Sequence, residues 1–165
     1  MSSLFRIGVR LTVIGLTLLS FTSFSSGGEE GRVLLVFNPQ ARVREVLPLR
    51  GVSKVSVRFF HSYDRQWVTE SFVVKDGRLV PCEVIYRADS YDYRNERYES
   101  RCEVGLHDVK LIVTAHAERD SLAQVIYRVA HMKAQELILE KDGRQETYSF
   151  SRWGRPGQRL VLSLN

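Results

Sequence analysis

Alternating apolar and polar residues around tight polar turns constrain this chain more than any other feature. Residues 55–79 read VSVRFFHSYDRQWVTESFVVKDGRL. Val55, Val57, Phe59 and His61 alternate with Ser56, Arg58, Phe60 and Ser62, a period of two that places one face of a strand inward. The polar turn Tyr63 to Gln66 leads into a second alternating run, Trp67 to Val74. That run ends at Asp76-Gly77, a dipeptide that tolerates positive φ and so marks a hairpin. Three strands are predicted to meander here. On their apolar face the polar side chains are His61 and Glu70.

The rest of the chain follows the same pattern. Arg32 to Phe37 and Val43 to Leu49 are predicted strands, the first stopped by Asn38-Pro39 and the second confined to an edge by Pro48. Arg78 to Tyr86, His107 to Ala115 and Leu122 to His131 extend the series. Glu118 to Ser121 is a turn or a single helical turn. Residues 135–141 and 144–151 flank Asp142-Gly143, repeating the Lys-Asp-Gly-Arg chemistry of residues 75–78. A terminal strand, Gln158 to Leu164, follows Pro156-Gly157. About ten short strands with turns between them predict an all-β fold, a single antiparallel sandwich or partly closed barrel.

The N-terminus carries a different signal. Arg6 and Arg10 precede the uncharged apolar run Leu11 to Phe24, with small residues at Ser23 and Ser25. This is a secretory pattern, read as a signal peptide over residues 1–25 or an uncleaved anchor over residues 11–24. Residues 26–31 are a linker and 32–165 a single domain. The expected location is therefore exported, periplasmic or extracytoplasmic, with membrane contact only through the N-terminal segment if it is retained.

In an exported chain the two cysteines, Cys82 and Cys102, read first as a disulfide. Closing that loop contributes about 3 kcal/mol in the chain-entropy model. The rival reading, a reactive thiol with a His partner, needs a reducing compartment. Between the cysteines lies a Tyr-rich, charged excursion, residues 87–101, with Tyr91, Tyr93 and Tyr98 among Asp, Arg and Glu. It reads either as a long contact loop or as exposed strand extensions whose tyrosines cover the sheet.

The formal charge of +5 falls to about +3 without Arg6 and Arg10, and the basic residues are interspersed with acidic ones. No basic stripe with interleaved aromatics is present, so a nucleic-acid partner is not expected. The sequence has no Gly-rich phosphate loop, nucleophile elbow or metal-spaced cluster, so no cofactor or metal is expected. His107, His116 and His131 stand alone. With a four-residue turn after Ser62, His61 opposes Val68, and Glu70 lies diagonally about 7–8 Å away on the same face. That pairing is either a structural hydrogen bond, a recognition spot, or a general base with an orienting carboxylate. Ser62 points to the other face, so a catalytic set is incomplete. Trp67 reads as a packing anchor for the turn.

The run Phe60-His61-Ser62, then Trp67 and Glu70-Ser71-Phe72 before an Asp-Gly turn, resembles a family of small exported domains of unknown function (domain of unknown function 1850). That family is typically encoded beside TRAP-type transporters of the TAXI class. Its members end, as here, in a Gly-containing turn and a hydrophobic strand. The chain departs from the family pattern where the Tyr-rich excursion replaces a Ser/Gly/Ala-rich segment. The resemblance implies an accessory role near a solute transporter. The expected activity is thus non-enzymatic recognition of a transporter component, another envelope protein or a small solute. His61, Ser62, Trp67, Glu70, Tyr91 and Tyr93 are the candidate contacts. The alternatives are an envelope interaction domain using residues 87–101 and a small hydrolase using His61 and Glu70.

Overall fold

A computed structural model of the protein describes residues 32–87, 93 and 95–165. The expected signal segment, the linker and Tyr91 lie outside the described residues. Eleven strands run in chain order: β1 (Val33–Asn38), β2 (Val43–Pro48), β3 (Val52–His61), β4 (Gln66–Lys75), β5 (Arg78–Arg87), β6 (Glu99–Val104), β7 (Asp108–Thr114), β8 (Gln124–Arg128), β9 (Glu136–Lys141), β10 (Arg144–Ser149) and β11 (Arg159–Leu164). One helical turn, α1 (Ala117–Asp120), lies between β7 and β8, and a 3-10 turn (Phe150–Arg152) follows β10. The strands form two antiparallel sheets of order β2-β1-β11-β8 and β10-β9-β3-β4-β5-β7-β6. They face each other as an open sandwich, not a closed barrel.

Both Asp-Gly turns close two-residue hairpins. Asp76 and Gly77, like Asp142 and Gly143, all have positive φ, the conformation that matches the twist of the flanking strands. The β1–β2 and β3–β4 hairpins use four-residue loops instead, and each ends on an arginine with positive φ, Arg42 and Arg65. Pro48 sits on an edge strand as its missing N–H requires. Strand β6 was expected only as one alternative for residues 87–101, an exposed strand extension, and its residues are mostly exposed.

The core lies between the four-stranded sheet and the β9-β3-β4 half of the larger one. Leu34, Val36, Leu160 and Leu162 meet Val55, Val57, Leu137 and Leu139, closed at one end by Phe150 and Trp153. Each such side chain contributes about 1.5–3 kcal/mol on burial. The larger sheet overhangs its partner. On the overhang a second cluster, Val68, Tyr86, Val109 and Leu111, contains no residue of the smaller sheet and packs against Phe59, Val84 and Tyr93.

The expected disulfide is corrected: Cys82 and Cys102 are free thiols. Cys102 on β6 pairs with Leu111 on β7, which pairs in turn with Val84 on β5. Strand β7 therefore separates the two cysteines, placing them on strands about 10 Å apart. A disulfide needs Cα atoms within about 7 Å.

Candidate functional site

The β3–β4 hairpin has a register two residues from the expected one. Its loop is Ser62 to Arg65, so His61 opposes Gln66, Phe59 opposes Val68 and Val57 opposes Glu70. A slip of two keeps His61 and Glu70 on one face. It also sets Glu70 four residues along β4 from the partner of His61, about 13 Å away. The anticipated His61–Glu70 pair is thus replaced by two separate polar groups.

The first group closes the end of the larger sheet. His61 Nδ1 lies 3.1 Å from Asp64 Oδ2 and 3.5 Å from the Asp64 N–H. The Asp64 N–H donates to Nδ1, and the Asp64 carboxylate flanks the same nitrogen. The Tyr93 hydroxyl donates to the same Asp64 oxygen at 2.6 Å, and the Tyr93 ring meets His61 edge-on. Gln66, buried, donates to Tyr93 and accepts the Arg87 N–H at 2.8 Å. His61 and Tyr93, both anticipated, are brought together here. Asp64 and Gln66 were missed, although a carboxylate three residues after a histidine in a polar turn was a readable signal. Ser62 is exposed in the turn and takes no part. An imidazole held by a carboxylate has the orientation of a general base, but no nucleophile faces it among the described residues.

Trp67 points to the opposite face. Its ring packs edge-on against Phe60 at 5.6 Å, with the Arg58 guanidinium 4.6 Å from its centroid. Lys133 covers Phe60 in the same way. Cations stack on aromatics in this ledge, which pins the hairpin as expected.

The second polar group lies at the margin between the two sheets. Tyr127 on β8 is held between Phe59 and Phe150. Its hydroxyl donates a 2.7 Å hydrogen bond to Glu70 Oε2. Burial pushes the Glu70 carboxyl above the ordinary glutamate range, partly offset by that hydrogen bond. Burial, with the neighbouring carboxylate, also pushes the Tyr127 hydroxyl well up. Beside the pair opens a cleft of about 230 Å³ under the overhanging strands. Its walls include Glu70, Phe72, Val84, Leu111, Tyr93 and Tyr98, with Leu122, bridged to Leu79 of β5, and Val125 of β8.

Among protein-family models, curated proteins and solved structures, none matches this chain. The site must therefore be read from its own chemistry. Among the described residues no group of three His, Cys, Asp or Glu side chains is placed to hold a metal ion. No described helix is long and apolar enough to cross a membrane. A half-open, mostly apolar cleft lined by Glu70, Glu83 and two tyrosines has the form of a small-molecule site. Tyr127 escaped the sequence reading because a Tyr in an ambiguous strand carries no signal of which sheet it will face.

Proposed function

We propose that this chain is an exported, non-enzymatic recognition domain that holds a small solute in the cleft between the overhanging strands and β8. The observation that carries this reading is the cleft itself: apolar walls, tyrosines and the half-buried Glu70 converge on a space that the smaller sheet leaves uncovered. The accessory role beside a TRAP-type transporter of the TAXI class rests on the resemblance carried by Phe60-His61-Ser62, Trp67 and Glu70-Ser71-Phe72. A solute-binding role suits that setting.

A second reading has its own observation. Strand β6 is an edge of the larger sheet; its last residue, Val104, is 74% exposed and Leu106 in the turn after it is 89% exposed. An exposed edge with apolar residues is a template for pairing with another chain. In that reading the Tyr-rich region and β6 dock an envelope protein.

The test is thermal-shift screening of the full chain against neutral, anionic and cationic solutes, paired with affinity capture from its native envelope. The solute reading expects a compound that raises Tm in the wild type but not in Glu70→Ala, with the response retained in His61→Ala. A response lost in neither variant removes the cleft as the site. Capture of a transporter component supports the accessory role. Capture of other envelope proteins, abolished by Val104→Asp with Leu106→Asp, favours the edge.

A further inference from the structure

The geometry points to a small organic cation as the occupant of the cleft, its charge meeting Glu70 and its apolar substituents meeting the tyrosines. This deepens the solute-binding reading and rests on it.

The other partly buried glutamates among the described residues are paired with cations. Glu83, which also borders the cleft, is neutralised by Lys110 at 2.8 Å and Lys54 at 3.6 Å. Glu45 is clamped by Arg152, Glu136 by Arg58 and Glu140 by Lys54. Glu70 has no Lys, Arg or His within ion-pair distance among the described residues, although it too is partly buried. Its Oε2 takes the Tyr127 hydroxyl. Among the described residues no fully buried side-chain oxygen lacks a partner, so Oε1, which has none there, is not fully buried, and Glu70 lines the cleft. An ionised carboxylate at an apolar wall is costly unless a counter-charge meets it. The described residues supply one hydrogen bond and no counter-charge.

The remaining walls narrow the class. An anion is repelled by Glu70. A bare metal ion needs several hard oxygen ligands, and no set of three candidate ligands stands here among the described residues. Aromatic faces favour a cation carrying carbon substituents, as in recognition of alkylated ammonium groups, and Tyr93 and Tyr98 line the cleft on the side of the overhang. At about 230 Å³ the space is smaller than the roughly 300–1,000 Å³ that drug-sized ligands occupy. The ligand is correspondingly small.

The experiment is calorimetric titration of the full chain at mildly alkaline pH with choline and with its uncharged isostere 3,3-dimethyl-1-butanol. Tetramethylammonium and putrescine extend the cationic set. The expected result is choline bound at least about tenfold more tightly than the isostere, a difference of about 1.4 kcal/mol. Glu70→Gln is expected to erase that preference, and Tyr98→Ala to weaken choline several-fold while the melting profile shows both variants folded. Equal affinity for choline and the isostere overturns the cation assignment and leaves the solute reading standing. So does binding of neutral or anionic screening compounds when no cation binds. No response to any compound of any charge overturns both.

Discussion

Tyr127 and Glu70 meet across the sandwich, the hydroxyl of the edge strand β8 donating at 2.7 Å to a carboxylate on β4 of the opposing sheet. The core between the two sheets is apolar, so this bond is a polar pin beside it. It also fixes the carboxylate at the cleft wall. The neighbours of Glu70 on the flanking strands are Val57 and Val84, which offer no charge. Burial therefore dominates its titration.

Glu70→Gln is expected to be more stable than the wild type at neutral pH. The folded-state pKa of Glu70 lies above its ordinary value of 4.5 because burial disfavours the anion. Between the unfolded and folded values the native state binds more protons, so stability falls as pH rises through that window. The penalty is complete above the folded value. Glutamine keeps an acceptor for Tyr127 without the charge. Thermal melts should give the variant the higher Tm at about pH 8 and no advantage at about pH 4. A variant less stable than the wild type at alkaline pH would show the charge to be compensated within the protein.

Tyr127→Phe removes the donor and keeps the ring between Phe59 and Phe150. Stranding a charged acceptor that has lost its hydrogen bond costs about 1–3 kcal/mol. The loss should be largest at neutral pH and should shrink when Glu70→Gln is combined with it. A double-mutant cycle on urea-unfolding free energies reads that coupling directly. Additive effects would mean that the bond contributes nothing beyond the ring.

The cysteines should behave as unlike, independent thiols. Cys102 is exposed, whereas Cys82 is half-buried and its thiol is pushed up to about 11, by burial first and then by the Glu83 carboxylate. Since the thiolate is the nucleophile, Cys102 should react quickly with a disulfide reagent at neutral pH and Cys82 far more slowly. Reducing agent should leave Tm unchanged. A drop of several degrees on reduction would instead require a bridge and a different order of β5, β6 and β7.

Local chemistry made most of the strands legible, and long-range pairing limited the rest. The Asp76-Gly77 and Asp142-Gly143 hairpins followed from residues that accept positive φ, and Pro48 located an edge. Strand β6 was legible only as one of two alternatives for residues 87–101, because its sequence, ESRCEV, places few apolar residues on either face. The disulfide expectation failed for a related reason. Nothing in residues 82–102 reveals that β7, later in the chain, pairs between β5 and β6. The His61–Glu70 pairing failed on loop placement, since moving the four-residue loop by one position slides the register by two. Period-two alternation cannot detect that slip, because it returns every side chain to the same face. Glu70 itself was legible as a polar residue on an apolar face; its partner on the other sheet was not.

Glu45 should show the opposite pH trend from Glu70. It lies on edge strand β2 and receives both Nε and Nη2 of Arg152, at 2.9 and 2.7 Å, and the indole N–H of Trp153 at 2.6 Å. The Arg152 hydrogen bonds, then that of Trp153, hold its carboxyl below the ordinary range despite a smaller opposing effect of burial. A depressed folded-state value means that stability is present above the unfolded pKa and is lost as pH falls through the folded one. Glu45→Gln should therefore cost about 1 kcal/mol near neutrality, discounted for the solvent around Arg152. It should converge with the wild type once the pH is below the ordinary glutamate value. Trp153 is 1% exposed and lies against Phe150 in the core, so replacing the carboxylate that its indole N–H meets should also alter the near-ultraviolet dichroism. Melting curves of Glu45→Gln and Glu70→Gln, followed from acid to alkaline pH, should depart from the wild type in opposite directions. A shift of the same sign in both would mean that the two carboxylates answer to net charge alone and not to their separate surroundings.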